Sequence, residues 1–264
     1  MAFETIEVEQ DGALAIVRLN RPKQLNAINR AMVAELDELA GRFEAGFHAE
    51  RSPRVVIFTG AGDRAFLAGA DIGEFQGQTP AESLTFDQRI QRLYNRIEAL
   101  PQVTIAAVNG FALGGGCELT QCCDLVVASE TARFGQPEVN LGVIPGAGGT
   151  QRLARIVGMH RAKELNLLGE MIDAPEAYRI GLVNRVVPAD RLLPEARALA
   201  EKLLAKAPLT LWLIKEAMNE GYDLDLPKGL AIEAKSWAVV FSTEDRAEGV
   251  AAFLEKRTPA FRGR

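Results

Sequence analysis

The chain has 264 residues. At roughly 150 residues per domain this is one large domain with an appendage, long enough to bury about three quarters of its unfolded surface. A composition of 48% hydrophobic and 25% charged residues excludes wholesale disorder. A net charge of −5 and a pI of about 5.3 argue against nucleic acid as the main partner, because phosphate binding needs clustered Lys and Arg. In chain order, the first twenty residues predict a hairpin. Ile6 and Val8 alternate with polar neighbours, Asp11-Gly12 turns, and Leu14 to Leu19 returns. From Asn29, a cap, Met32, Leu36, Leu39, Phe43 and Phe47 recur at helical spacing. A short apolar strand follows at Val55 to Thr59, then a glycine loop.

The same order recurs. A helix carrying Ile90, Leu93, Ile97 and Leu100 stops before Pro101, and a strand runs from Thr104 to Val108. Further strands are expected at Leu125 to Ala128 and Leu182 to Val187. Short buried strands between helices predict an α/β fold with largely parallel pairing. Residues 1–190 form the expected core. Residues 191–264 form a helical C-terminal region, where Trp212, Trp237, Phe241 and Phe253 pack on the core or on another subunit.

The three cysteines, Cys117, Cys122 and Cys123, are too few and too close for a disulfide framework and fit a reducing compartment. His48 and His160 lie far from them, so no metal site is expected. No apolar run approaches the ~18 residues of a membrane span. The acidic start MAFETIEVEQDG has no targeting character. The expected location is the cytoplasm, unless the chain is already processed.

Three segments carry the chemistry. In the stretch from Asn109 to Leu125, Gly114-Gly115-Gly116 opens a nearly all-apolar helix. Glycine lets a ligand approach the backbone, and a helix N-terminus has spare N–H donors, which stabilise an oxyanion. Glu118 sits on the first turn of that buried helix, either as a dipole-stabilised carboxylate or as a catalytic carboxyl with a tuned pKa. In the stretch from Phe134 to Leu153, Glu138 is the one charge between Phe134 and Gln151. A strand between them allows it to share a cleft with Glu118; alone it reads as an exposed turn residue. Gly146, Gly148 and Gly149 read as tight turns before a helix starting near Thr150. In the stretch from Arg64 to Phe75, Gly60-x-Gly62-x-x-Ala65 follows a strand like a dinucleotide fingerprint, but no helical period continues it. An NAD-dependent oxidoreductase therefore stays an alternative only.

With RPKQLNAIN, FLAGADIGEF, NGFALGGGCEL, FGQPEVNLGVIPGAGGTQRL, GLVNRVVP and FSTEDRAEGVAAFLEKR in this order, the chain resembles the crotonase superfamily, and within it the enoyl-CoA hydratases. Gln121 departs from that pattern, where an apolar residue is more usual. The resemblance implies a spiral of ββα repeats, a helical C-terminal region for trimer contacts, and a homo-trimer or a homo-hexamer built as a dimer of trimers. It implies hydration of trans-2-enoyl-CoA to 3-hydroxyacyl-CoA, with an acyl-CoA thioester as substrate and no cofactor beyond the CoA it carries. The backbone N–H groups of Ala70 and Gly115 match the oxyanion hole. Glu118 and Glu138 match the catalytic pair, with Glu138 as proton donor to C2 and Glu118 holding and activating the water. Lys23, Gln24, Leu25, Ala68, Gly69, Asp71 and Ile72 match the CoA groove, and Lys256 is a further phosphate contact; both lysines also read as solvated surface charge. The polar, turn-rich segment from Glu74 to Leu84 is expected to be a mobile cover over the acyl tail, with Phe75 and Phe86 lining the tail or packing in the core. Double-bond isomerisation and an RNA-binding scaffold are the competing functions.

Overall fold

Strand β1 (Ile6–Asp11) pairs antiparallel with β2 (Leu14–Leu19) across the Asp11-Gly12 turn, with Ile6 opposite Leu19 and Asp11 opposite Leu14. This is the hairpin, turning at Asp11-Gly12, that the sequence pattern predicts. Residues 3–47, 49 and 52–264 are described by the computed structural model; His48 lies outside them. Helix α1 (Arg30–Gly46) follows, its first turn capped by the Asn29 side chain, which accepts from the Met32 N–H.

The chain then repeats one unit. β3 (Val55–Gly60), β4 (Ala65–Ala68) and α2 (Pro80–Glu98) form the first. β5 (Val103–Val108), β6 (Phe111–Leu113) and α3 (Gly115–Cys122) form the second. β7 (Leu125–Ser129), β8 (Arg133–Gly135) and α4 (Arg152–Val157) form the third. In each unit the first strand joins a six-stranded sheet and the second joins a four-stranded one. The winding is the ββα spiral that the resemblance implies. Helix α5 (Met159–Leu168), β9 (Met171–Asp173), α6 (Ala174–Arg179) and β10 (Arg185–Val187) close the core. The larger sheet runs β1-β2-β3-β5-β7-β10 and the smaller β4-β6-β8-β9. From β2 to β10 the larger sheet is parallel.

The central strands are buried on both faces and lack a polar alternation. Val56, Phe58, Ala106 and Val108 face α1, α2 and the second sheet. Their neighbours Val55, Ile57, Ile105 and Ala107 face α7 (Leu192–Leu204), which buries Leu192, Ala196, Leu199 and Ala200 against them. α8 (Pro208–Gly221) packs beside α9 (Leu226–Phe241), and α10 (Glu244–Glu255) precedes the C-terminal tail. Trp212 of α8 meets Phe47 edge-on at 5.7 Å. Trp237, Phe241 and Phe253 are exposed.

Three expectations need correction. The strand predicted over Leu182 to Val187 is confined to Arg185–Val187; Leu182 and Val183 are buried in the preceding turn. Two strands, β7 and β8, separate Glu118 from Glu138 rather than one. The segment from Glu74 to Leu84 is not all turn. Ile72–Phe75 is a 3-10 turn, and α2 begins at Pro80 under a capping box in which Thr79 and Glu82 bond reciprocally. Of the two aromatic residues considered for the acyl tail, Phe86 is core and Phe75 is partly exposed.

Candidate active site

Glu138 and Glu118 meet around consecutive glycines. Gly114 has φ +50 and ψ −121, a left-handed geometry that L side chains rarely adopt. A Cβ there would lie 2.7 Å from Glu138 Oε1 and 3.7 Å from the Gly69 Cα. A Cβ on Gly115 would lie 4.0 Å from Glu118 Oε2. Gly69 and Gly114 are therefore adjacent, with Glu138 beside Gly114, which caps α3, and Glu118 beside Gly115, its first residue.

Glu118 is 2% exposed. Its Oε1 accepts the Ala147 N–H at 2.8 Å and the Gly149 N–H at 2.7 Å. The glycine loop, which reads from sequence as tight turns with a phosphate nest as the weaker alternative, cradles an anion, and that anion is the Glu118 carboxylate. Burial pushes its pKa up to about 7; the loop N–H bond from Gly149 opposes the shift and the nearby Glu138 charge adds to it. Glu138, half-buried in the 3-10 turn Pro137–Leu141, is also raised by burial. Two carboxyls pushed toward neutral pH in one cleft can hold and move a proton.

The oxyanion-hole candidates sit at the adjoining backbone. The segment 25–28 runs beside 68–71: Ala68 N–H donates to Leu25 O at 3.1 Å, Ile28 N–H to Gly69 O at 2.9 Å, and Asp71 N–H to Ile28 O at 2.8 Å. This ladder turns the Ala70 N–H away from Ile28. Gly115 is the first residue of α3, where a helix N–H has no intrahelical acceptor. Its carbonyl accepts the Tyr94 O–H at 2.7 Å, which anchors that peptide unit to α2.

The same ladder gathers the groove candidates Leu25, Ala68, Gly69, Asp71 and Ile72, with Lys23 and Gln24 exposed on the adjoining turn. Asp71 is engaged by Arg21 at 2.8 Å. Leu25 and Asn26 both have positive φ. The fully buried Asn26 side chain holds this bend by accepting from Arg21 N–H and donating to the carbonyls of Ala61 and Ala65. Lys256 is exposed at the left-handed end of α10, and no described interaction joins it to the Lys23 turn. Gly60-x-Gly62 leads into strand β4, not a helix, so it lacks the helix N-terminus of a dinucleotide site. Cys117 is fully buried and burial pushes its thiol up to about 12, which fits packing rather than nucleophilic chemistry.

Four residues of this region escape a reading of the sequence: Tyr94, Asn26, Gln136 and Asp87. Tyr94 falls in the apolar stripe of α2, and Asn26 and Gln136 are uncharged residues in stretches without secondary-structure period. Asp87 packs against Gly146, where a Cβ would lie 1.8 Å from its Oδ1, and burial raises its pKa. Its position one turn before Gln91, which bonds both Asp87 and the Gly146 carbonyl, is the single hint the sequence offers.

With this geometry in place, the family model for enoyl-CoA hydratase/isomerase matches residues 9–264. The chain is 45% identical over 261 residues to a crotonyl-CoA hydratase of Syntrophomonas wolfei, covering 99% of each. It is 45% identical over 257 residues to a short-chain-enoyl-CoA hydratase of Clostridium acetobutylicum, covering 97% of each. The crystal structure of an enoyl-CoA hydratase from Bacillus anthracis superposes with a TM-score of 0.94 at 42% identity, covering 99% of this chain and 100% of that one. The chain belongs to the enoyl-CoA hydratase/isomerase family.

Proposed function

We propose that this protein is an enzyme that hydrates trans-2-enoyl-CoA reversibly to 3-hydroxyacyl-CoA. The observation that supports the reading is the convergence of two carboxyls, buried Glu118 and half-buried Glu138, on Gly114 and Gly115; the N–H groups of Ala70 and Gly115 are the proposed oxyanion hole. Attack of water on C3 of a conjugated thioester drives negative charge onto the thioester oxygen. Two fixed N–H donors stabilise that oxyanion, each worth roughly 3–4 kcal/mol by comparison with other such holes. Glu118 takes the proton from the water and Glu138 delivers one to C2. The two carboxyls then exchange roles in the reverse dehydration. No further cofactor enters this scheme; the CoA belongs to the substrate, held along Lys23, Gln24, Leu25, Ala68, Gly69, Asp71 and Ile72, with Lys256 as an outlying phosphate contact.

The same reading makes the protein a homo-trimer or a dimer of trimers acting in the cytoplasm. α9 buries none of its residues although it carries Leu230, Trp237 and Phe241, and an apolar helix without a buried face needs a partner. Three free thiols fit a reducing compartment. Among the described residues no helix is long and apolar enough to cross a membrane. The deciding experiment follows the absorbance of crotonyl-CoA. The protein should abolish it with formation of 3-hydroxybutyryl-CoA, and Glu138→Gln should slow this by at least ~10²-fold with an unchanged circular dichroism spectrum. Unchanged turnover in that variant removes Glu138 from the chemistry. Isomerisation of a 3-enoyl-CoA without hydration would replace the reaction class.

A further inference from the structure

Behind Glu138 lies a short chain of buried amides that the chemistry above does not use. Gln136 is fully buried, and the position a Cβ on Gly149 would take is 2.5 Å from its amide and 2.9 Å from Pro145 Cβ. Its amide group is walled in; its remaining freedom is the half-turn that exchanges oxygen and nitrogen. In one orientation its nitrogen lies 3.1 Å from Glu138 Oε1 and 3.3 Å from Oε2, and its oxygen accepts from Gln121 Nε2 at 3.2 Å. In the other, carbonyl faces carboxylate and N–H faces N–H. Partner chemistry selects the first.

An ionised Glu138 would choose that orientation unaided. A protonated Glu138 would not, because its O–H serves a carbonyl as well as its oxygen serves an N–H. Gln121 breaks the tie. It is buried on α3, and its Nε2 also reaches Cys117 Sγ at 3.5 Å. Its own carbonyl oxygen is buried with no partner, a state that costs about 1–3 kcal/mol. Packing alone would favour an apolar side chain at that place. We propose that Gln121 is a positioning residue: it holds the Gln136 amide nitrogen on Glu138 before the proton leaves, so that the donor is in place for the carboxylate that forms.

The charged and titratable groups around Glu138 and its partner carboxyl are Glu118, Cys117 and Cys122 on α3, Asp87 and Tyr94 on α2, and Arg152 on α4. Among the described residues, Gln136 is the side chain whose N–H reaches Glu138. A donor to the ionised form lowers a carboxyl pKa and so opposes the effect of burial. Losing its orientation raises the Glu138 midpoint.

The catalytic part of this inference rests on the hydratase reading; the titration part does not. The test is Gln121→Met in the full-length protein, an apolar exchange of similar length that also removes the orphan carbonyl. With crotonyl-CoA, kcat should fall about 3–10-fold, the effect of one lost hydrogen bond, with KM changed less than about twofold. The descending limb of the kcat/KM profile, where Glu138 loses its proton, should move to higher pH by about 0.5–1. Carbon-13 carboxyl NMR without substrate, with the Glu138 signal identified by its loss in Glu138→Gln, should show the same rise in midpoint. Tm should hold or rise. An unmoved midpoint and pH limb, whatever happens to Tm, overturns the proposal. In the unsubstituted protein the Gln136 amide protons should give one set of signals across the Glu138 titration, and two exchanging sets would overturn it without any variant. A shifted midpoint in a protein that hydrates no enoyl-CoA would leave the positioning role standing and refute only the reaction.

Discussion

Glu118 shows how far burial and function pull apart at a single residue. Its ordinary pKa of 4.5 is raised to about 7 in the fold. An acid raised on folding leaves stability intact below the unfolded value and loses it as pH climbs through the folded one. Above pH ~7 the cost of keeping this carboxylate buried is about 3 kcal/mol. Glu118→Gln keeps the oxygen that accepts from Ala147 and Gly149 and removes the charge. The variant should be inactive yet melt higher than the parent, by a margin that grows from pH ~4.5 to ~7 and then levels. Calorimetry across that range checks it, and a margin independent of pH would mean the carboxylate is not desolvated. For the parent, kcat/KM should be bell-shaped in pH, because the coupled pair works with one carboxyl ionised and the other protonated. That an acidic residue sat on the first turn of an apolar helix was legible in the sequence. That its two hydrogen bonds would come from a loop 29 and 31 residues onward was not, because backbone donors carry no residue code.

At the scale of elements, glycines decide how closely the repeats approach. A Cβ on Gly116 would lie 1.8 Å from the Leu67 carbonyl oxygen, so α3 rests directly on β4. Gly114 combines a left-handed backbone with the contact to Glu138. The two positions should therefore fail differently. Gly116→Ala separates helix from strand and should lower Tm with a parallel loss of rate. Gly114→Ala strains one residue by about 1–3 kcal/mol and displaces Glu138, so the rate should fall at least ~10²-fold for a modest drop in Tm. Thermal melts beside steady-state rates separate the two, and equal ratios of rate loss to Tm loss would refute the distinction. The long elements were readable because period and caps are local: the Asn29 cap and the Asp11-Gly12 turn sit where the pattern puts them. The strands of the second sheet were not, since β4, β6, β8 and β9 have only 3 or 4 residues each. So short a stretch shows no alternation, and its partners come from distant repeats.

For the whole molecule, the unpartnered helices are the informative feature. Phe253 is 82% exposed and Trp237 68%, while α7 alongside them in sequence is sealed onto the sheet. The paired change Trp237→Asp with Phe253→Asp should reduce the sedimenting species to a monomer while the ββα core still folds. A parent protein that sediments as a monomer would refute the assembly. A helical C-terminal region with large apolar side chains was visible in the sequence, yet helical period alone could not separate α7, which completes the core, from α9, which does not. Both carry apolar stripes; only the sheet face available to α7 distinguishes them.

Local chemistry wrote itself into the sequence: the helix caps, the hairpin turn, the buried strands, the glycines at the start of α3 and the two glutamates in apolar surroundings. Each depends on a residue's own conformational preference or on neighbours within a turn or two. The tertiary structure decided the rest. It aligned 25–28 with 68–71, carried two carboxyls around one pair of glycines, folded the loop at 146–149 onto Glu118 and set Gln121 behind Gln136. Those relations join residues remote along the chain through backbone amides and buried side-chain amides, whose partners are chosen by proximity and not by composition.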